Sequence, residues 1–252
     1  MKITVRHELT FDLGTPPRAL AHLLLTPLST PQQKVESWAV EVAGSKRAPG
    51  FRDGFGNKAQ LVTLSRPEGP ITITAGGVVE TLDKAGVLGR LELDPAHALF
   101  RRPTAATKVD QAIVDRLAKG TDRIATLHEL MGQLHGKSAA PAQMQTQGAQ
   151  SQSQSAAAIE PADSFVGIAR ALGFAARHVT GYVLAEGGRF HSWAEVWEDG
   201  LGWIGFDPRY DVCPADGHIR IASGLDSAGS VPVRTFPPLN ETPAATVDIS
   251  AD

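Results

Sequence analysis

Between Ile3 and about Leu82, apolar and polar residues alternate in short runs, the period expected of half-buried β-strands. Ile3, Val5, Leu9 and Phe11 mark the first run, and others follow at 20–26, 35–42, 59–64 and 71–82. Glycine- and proline-rich segments at 14–17, 29–31, 53–57 and 66–70 separate them, as turns do. Short strands at this spacing predict an antiparallel β-sandwich-like domain over residues 1–88. Residues 91–107 read as a connector, after which the period changes. Val109, Ala112, Ile113 and Leu117 fall on one helical stripe closed by Gly120. Ile124, Leu127, Leu130, Met131 and Leu134 form a second, closed by Gly136. Residues 137–158 hold one large apolar side chain, Met144, too little for burial to offset the entropy of ordering them. They are expected to be a Gln/Ser/Ala linker.

Order is expected to resume at Glu160-Pro161. Phe165, Ile168, Ala169 and Leu172 predict a short helix with Asp163 or Ser164 as its cap and Gly173 at its end. A strand is expected over 177–184, then a Gly187-Gly188 turn. The run from His191 to Asp207 reads as a hairpin folded at Asp199-Gly200-Leu201-Gly202. If Glu198 pairs with Gly202, partners' numbers sum to 400, which puts His191 and Asp207 on one face as diagonal neighbours. Diagonal positions lie roughly 7–8 Å apart, near enough for a carboxylate to meet an imidazole N–H. Such a carboxylate fixes the ring's tautomer and steadies its charged form. Residues 89–236 therefore predict an α+β domain with helices packed on an antiparallel sheet, and 237–252 a polar tail that frays.

Composition narrows the function. A net charge of −3 with interspersed signs gives no basic stripe for nucleic acid. The chain contains neither an apolar run of membrane-spanning length nor a signal-peptide core, so a cytoplasmic location without membrane contact is expected. A single cysteine, Cys213, excludes an internal disulfide. His178, His191, His218 and Asp207 are the candidates for a metal set, but they lack ligand-like spacing, and no metal or cofactor is expected.

Three segments then fit a known pattern. The run Ala169-Arg-Ala-Leu-Gly-Phe-Ala-Ala-Arg-His-Val-Thr-Gly-Tyr182, then His191-Ser-Trp-Ala-Glu-Val196, then Gly202-Trp-Ile-Gly-Phe-Asp-Pro208 resembles the transglutaminase-like superfamily. The N-terminal region, with Leu24-Leu25-Thr26-Pro27 and Asp53-Gly-Phe-Gly-Asn57, and the segment from Cys213 to Arg234 are similar to a bacterial branch. The resemblance implies a papain-like core and Cys-His-Asp chemistry on an amide or acyl carbonyl. His191 takes the general-base position and Asp207 the orienting one. The nucleophile belongs about eleven residues before Ala169-Arg170, which an ungapped count places at Ala158. A methyl group cannot attack. The chain is therefore expected to be a pseudoenzyme that binds a peptide or protein, its cleft offering a β edge, aromatic walls and a histidine. The alternative is a working hydrolase or acyltransferase with a displaced nucleophile. Ser155, Ser164 or Cys213 would then stand in, or His191 would activate water. Trp193, Trp197 and Trp203 are expected to pack the hairpin.

Overall fold

A computed structural model describes residues 1–45, 48–67, 69–139 and 161–252. The N-terminal run forms β1 (Lys2–Phe11), β2 (Arg18–Thr26), β3 (Gln33–Val42), β4 (Gly50–Arg52), β5 (Lys58–Ser65) and β6 (Ile71–Thr81). Then come β7 (Val87–Gly89), α1 (Gln111–Leu117), α2 (Arg123–Ala139), α3 (Pro161–Ala171) and β8 (Ala176–Val183). The chain ends with β9 (Arg189–Glu198), β10 (Gly202–Phe206), β11 (His218–Gly224), β12 (Val233–Phe236) and β13 (Ala244–Ala251). Three antiparallel sheets result, ordered β13-β1-β6-β3, β12-β2-β5-β4 and β11-β8-β9-β10-β7.

The first two sheets bury their inward alternate residues against each other. Leu9, Phe11, Leu23, Leu25, Val62 and Ile73 fill the space between them, as a sandwich requires. On the third sheet, Val196 and Phe206 meet Leu127 and Leu130 of α2 and Phe165 and Ile168 of α3. A further cluster joins the two halves, with Ile3 and Val5 of β1 against Tyr182, Ile219 and Ile221.

Several boundaries differ from the sequence expectation. Residues 244–251 do not fray; they pair with β1 from Ile3↔Ala251 to Thr10↔Ala244, so the tail is a strand held by the backbone ladder. Gly136 does not close α2, which runs to Ala139. Glycine inside a helix costs only about 1 kcal/mol. Helix α3 opens at Pro161, ahead of the expected caps, since proline is well suited to a first helical position. Asp163 is instead buried and accepts the Ser227 N–H at 3.0 Å. Apart from 137–139 in α2, the expected linker lies outside the described residues, and so do Ala158 and Ser155.

Two buried polar features brace the fold, one across strands of the third sheet and one between β1 and β8. Glu195 of β9 accepts from Arg177 Nε at 2.6 Å and Arg220 Nε at 2.8 Å. Arg177 also donates to Asp94 at 2.8 Å, and its guanidinium lies 3.8 Å from the Trp203 ring centre. Nearer the N-terminus, the buried His7 ring meets the Tyr182 hydroxyl at 3.0 Å. Burial pushes His7 down to about 4 from an ordinary 6.5. The unfolded chain therefore binds a proton first as pH falls, and His7 withdraws stability below pH 6.5 until its folded value near 4 is passed. Up to roughly 3 kcal/mol is expected to be lost over this interval. Urea midpoints at the two ends should show that loss in the wild type and much less of it in His7→Gln. Equal losses in both proteins would remove His7 as the cause.

Candidate active site

The hairpin β9–β10 is in the predicted register, with Gly202↔Glu198, Trp203↔Trp197 and Phe206↔Ala194 paired. That register delivers His191 and Asp207 to one face. His191 Nε2 lies 2.6 Å from Asp207 Oδ2. Asp207, just past β10, is fully buried, and its backbone exchanges hydrogen bonds with Val212. The Arg209 N–H binds Oδ1 at 3.0 Å. A third side chain converges there, because His218 Nε2 of β11 reaches the same Oδ2 at 3.2 Å. Burial would raise the Asp207 carboxyl, but the hydrogen bonds and charge of His191 and His218 outweigh it, and the group sits below its usual range.

His191 and His218 stand on strands separated by β8, and Gly181 brings them within reach. A Cβ at Gly181 would lie 2.0 Å from Ile219 O and 2.7 Å from Trp193 Cη2. Without one, Trp193 lies across β8, its ring 5.5 Å from that of His218 and 6.3 Å from that of His191. Tyr210 forms a second wall, 5.2 Å from His191. Its hydroxyl donates to Glu186 at 3.0 Å, and Arg189 donates to the same carboxylate at 2.7 Å. These two hydrogen bonds hold the exposed Glu186 carboxyl below its usual range.

Other sequence candidates stand elsewhere. His178 Nδ1 meets Ser230 Oγ at 2.8 Å, and its Nε2 lies 3.9 Å from Asp163, away from the His191 pair. Among the described residues no three His, Cys, Asp or Glu side chains are placed to hold a metal ion. Trp197 donates to Asp199 and Trp203 to Asp94, so both pack and pin the sheet, and Trp193 alone of the three flanks His191. The expected β edge is not on His191's own strand, because β9 is paired on both sides; the sheet's outer strands are β7 and β11. Cys213 is partly buried against the helix-side core, and burial followed by the charge of Asp211 pushes its thiol up. Reactive thiols require the opposite shift. Among the described residues no hydroxyl or thiol hydrogen-bonds His191. Tyr210, Glu186 and the pairing of His218 with Asp207 were not foreseen. Only the short spacing of Asp207, Tyr210 and His218 in sequence hinted at them.

Residues 111–208 match the transglutaminase-like superfamily, and residues 3–80 match the bacterial transglutaminase-like N-terminal region. The uncharacterized Mycobacterium leprae protein ML0607 is 26% identical over 83% of this chain and 83% of its own length. A "putative cysteine protease" from Cytophaga hutchinsonii shares the fold, with a TM-score of 0.75 and 18% identity over 99% of this chain and 90% of that one.

Proposed function

Because the chain is a transglutaminase-like superfamily protein with the bacterial N-terminal region, we propose that it keeps the family's scaffold and His-Asp pair to bind a peptide or protein, without thiol catalysis. One observation carries this reading. The sole cysteine in the sequence, Cys213, makes no hydrogen bond to His191, and burial raises its thiol. A cysteine nucleophile must be ionised and within reach of its base, and this one is neither. What surrounds His191 is recognition chemistry: the Trp193 and Tyr210 rings with centres 6.3 Å and 5.2 Å from its own, and the exposed Glu186 carboxylate held by the Tyr210 hydroxyl. Ala158, the position the sequence count gives to the lost nucleophile, accords with this reading.

The competing hydrolase makes a separable forecast. An electrophilic thiol or serine probe is expected to leave the cleft unlabelled, and Cys213 is expected to alkylate slowly and independently of His191. Labelling that His191→Ala abolishes would overturn the proposal. A peptide array screened with the wild-type protein should return binders whose affinity falls several-fold in Tyr210→Ala, which removes one wall of the cleft.

A further inference from the structure

We propose that the outer edge of β5, from Leu61 to Ser65, takes up an extended peptide as an added antiparallel strand, with apolar side chains entering the cavity beside it and a carboxylate at its amino-terminal end meeting Arg66. The inference goes beyond the reading of the His191 cleft, because β5 belongs to another sheet. Strand β2 pairs with β5 along its whole length, from Arg18↔Ser65 to Thr26↔Lys58. On the other side, β4 covers only Lys58 to Gln60. In that register the position opposite Leu61 falls to Pro49, which has no N–H to give, and the β4 ladder stops at Gly50.

The uncovered edge has a defined polarity. The Arg66 N–H donates to Pro17 O at 3.1 Å, and the Asp53 N–H to Asn57 O at 3.1 Å. Ladder bonds alternate along an antiparallel strand, so even-numbered residues of β5 bond β2 and odd-numbered ones face the opposite way. Leu61, Thr63 and Ser65 therefore direct their N–H and C=O groups outward, where they meet no backbone partner among the described residues. A comparable edge is closed elsewhere in the fold. On β11 the Gln33 amide binds both the N–H and the C=O of Arg220, and the Asn57 amide binds both of those of Ser223. Past Gln60, β5 has no such plug among the described residues.

Alongside lies a cavity of about 560 Å³, a size that holds a ligand. Ala48, Val62, Leu64 and Ile71 line it, so its wall includes part of the sandwich core. An added strand turns alternate side chains toward that wall. These are the ones opposite Val62 and Leu64, and apolar groups of modest size suit them. The residues between them, opposite Leu61, Thr63 and Ser65, make the backbone bonds, as strand addition requires. Charge sets the orientation of the occupant's end. Arg66 is exposed and is the one charged residue among the described residues lining the cavity, and Arg18 pairs across from Ser65. A strand running antiparallel past Ser65 brings its amino-terminal end to these cations, where a carboxylate is favoured.

Backbone amide NMR of the full chain with acetyl-Glu-Thr-Val-Thr-Val-Thr-amide tests this. With its valines opposite Leu64 and Val62, the peptide is expected to shift the amide resonances of Leu61, Thr63 and Ser65 saturably and to slow their hydrogen exchange several-fold. Methylating the threonine backbone nitrogens should abolish binding, whereas methylating the valine nitrogens, which point away from β5, should not. Replacing the peptide's glutamate by glutamine should weaken binding several-fold in the wild type and leave it unchanged in Arg66→Gln. Thr63→Pro should remove binding without breaking the β2 ladder, since the lost N–H faces outward; the methylated peptides carry the same test if that variant does not fold. The proposal is overturned by an unshifted β5 edge at millimolar peptide, by equal effects of the two methylation patterns, or by no preference for glutamate. Shifts confined to the His191 ring would place the peptide in the cleft and overturn it too. So would concentration-dependent dimerisation that Thr63→Pro abolishes, which would make a second copy of the chain the occupant.

Discussion

Replacing Glu195 by alanine is expected to lower folding stability by about 3–5 kcal/mol, the cost of leaving buried charges without their partner. Glu195 is 3% exposed and receives Arg177 at 2.6 Å and Arg220 at 2.8 Å, the first of these wholly buried. Burial alone would raise its carboxyl, yet the two guanidinium groups hold it below the usual range. Truncation strands both arginines. Asp94 compensates only Arg177, so Arg220 is the more exposed to loss, and Glu195→Ala combined with Arg220→Met should recover part of the deficit. A urea midpoint close to wild type in the single variant would show that the knot does not hold β8, β9 and β11 of the third sheet together.

The second large effect is expected at Arg170, where methionine should cost about 3–4 kcal/mol, since each buried carbonyl left unpaired forfeits on the order of 1–3 kcal/mol. Four carbonyls depend on this one guanidinium: Phe100 at 2.9 Å, Arg102 at 2.7 Å, Ala176 at 2.8 Å and Leu225 at 2.6 Å. Methionine keeps the apolar stem, so the loss reads hydrogen bonding more than packing. Burial brings the guanidinium down to about 10 against the opposing charges of Asp226 and Asp163, and it remains cationic at neutral pH. Lysine should rescue only part, because an ammonium cannot span the fork. Limited proteolysis should then cut first near residues 97–102, which Arg170 fastens to α3. A cleavage pattern and midpoint matching wild type in Arg170→Met would refute this role.

The β9–β10 hairpin was legible because its information is local. Turn residues fix the register, and the register fixes which side chains share a face, so His191 and Asp207 could be brought together from numbers alone. The arginine knot was not. Arg177, Glu195 and Arg220 occupy three strands, and in the one-dimensional pattern a charge in an apolar strand looks like an outward-facing position. β13 was missed for a related reason. Val247 and Ile249 do alternate with polar neighbours and touch the core shared by the two halves, but a two-residue alternation is too short to separate a strand from a tail. His218 entered only as a metal candidate, because its partner is a carboxylate on a neighbouring turn, and nothing in the spacing shows that two imidazoles share one oxygen.

The first two sheets are each completed from the far end of the chain, β12 beside β2 and β13 beside β1. During synthesis, the N-terminal half leaves the ribosome with both of these flanks unclaimed. Its own finishing strands arrive last, after every helix has emerged. The nascent protein thus spends most of its translation presenting two unsatisfied backbone rims to other chains.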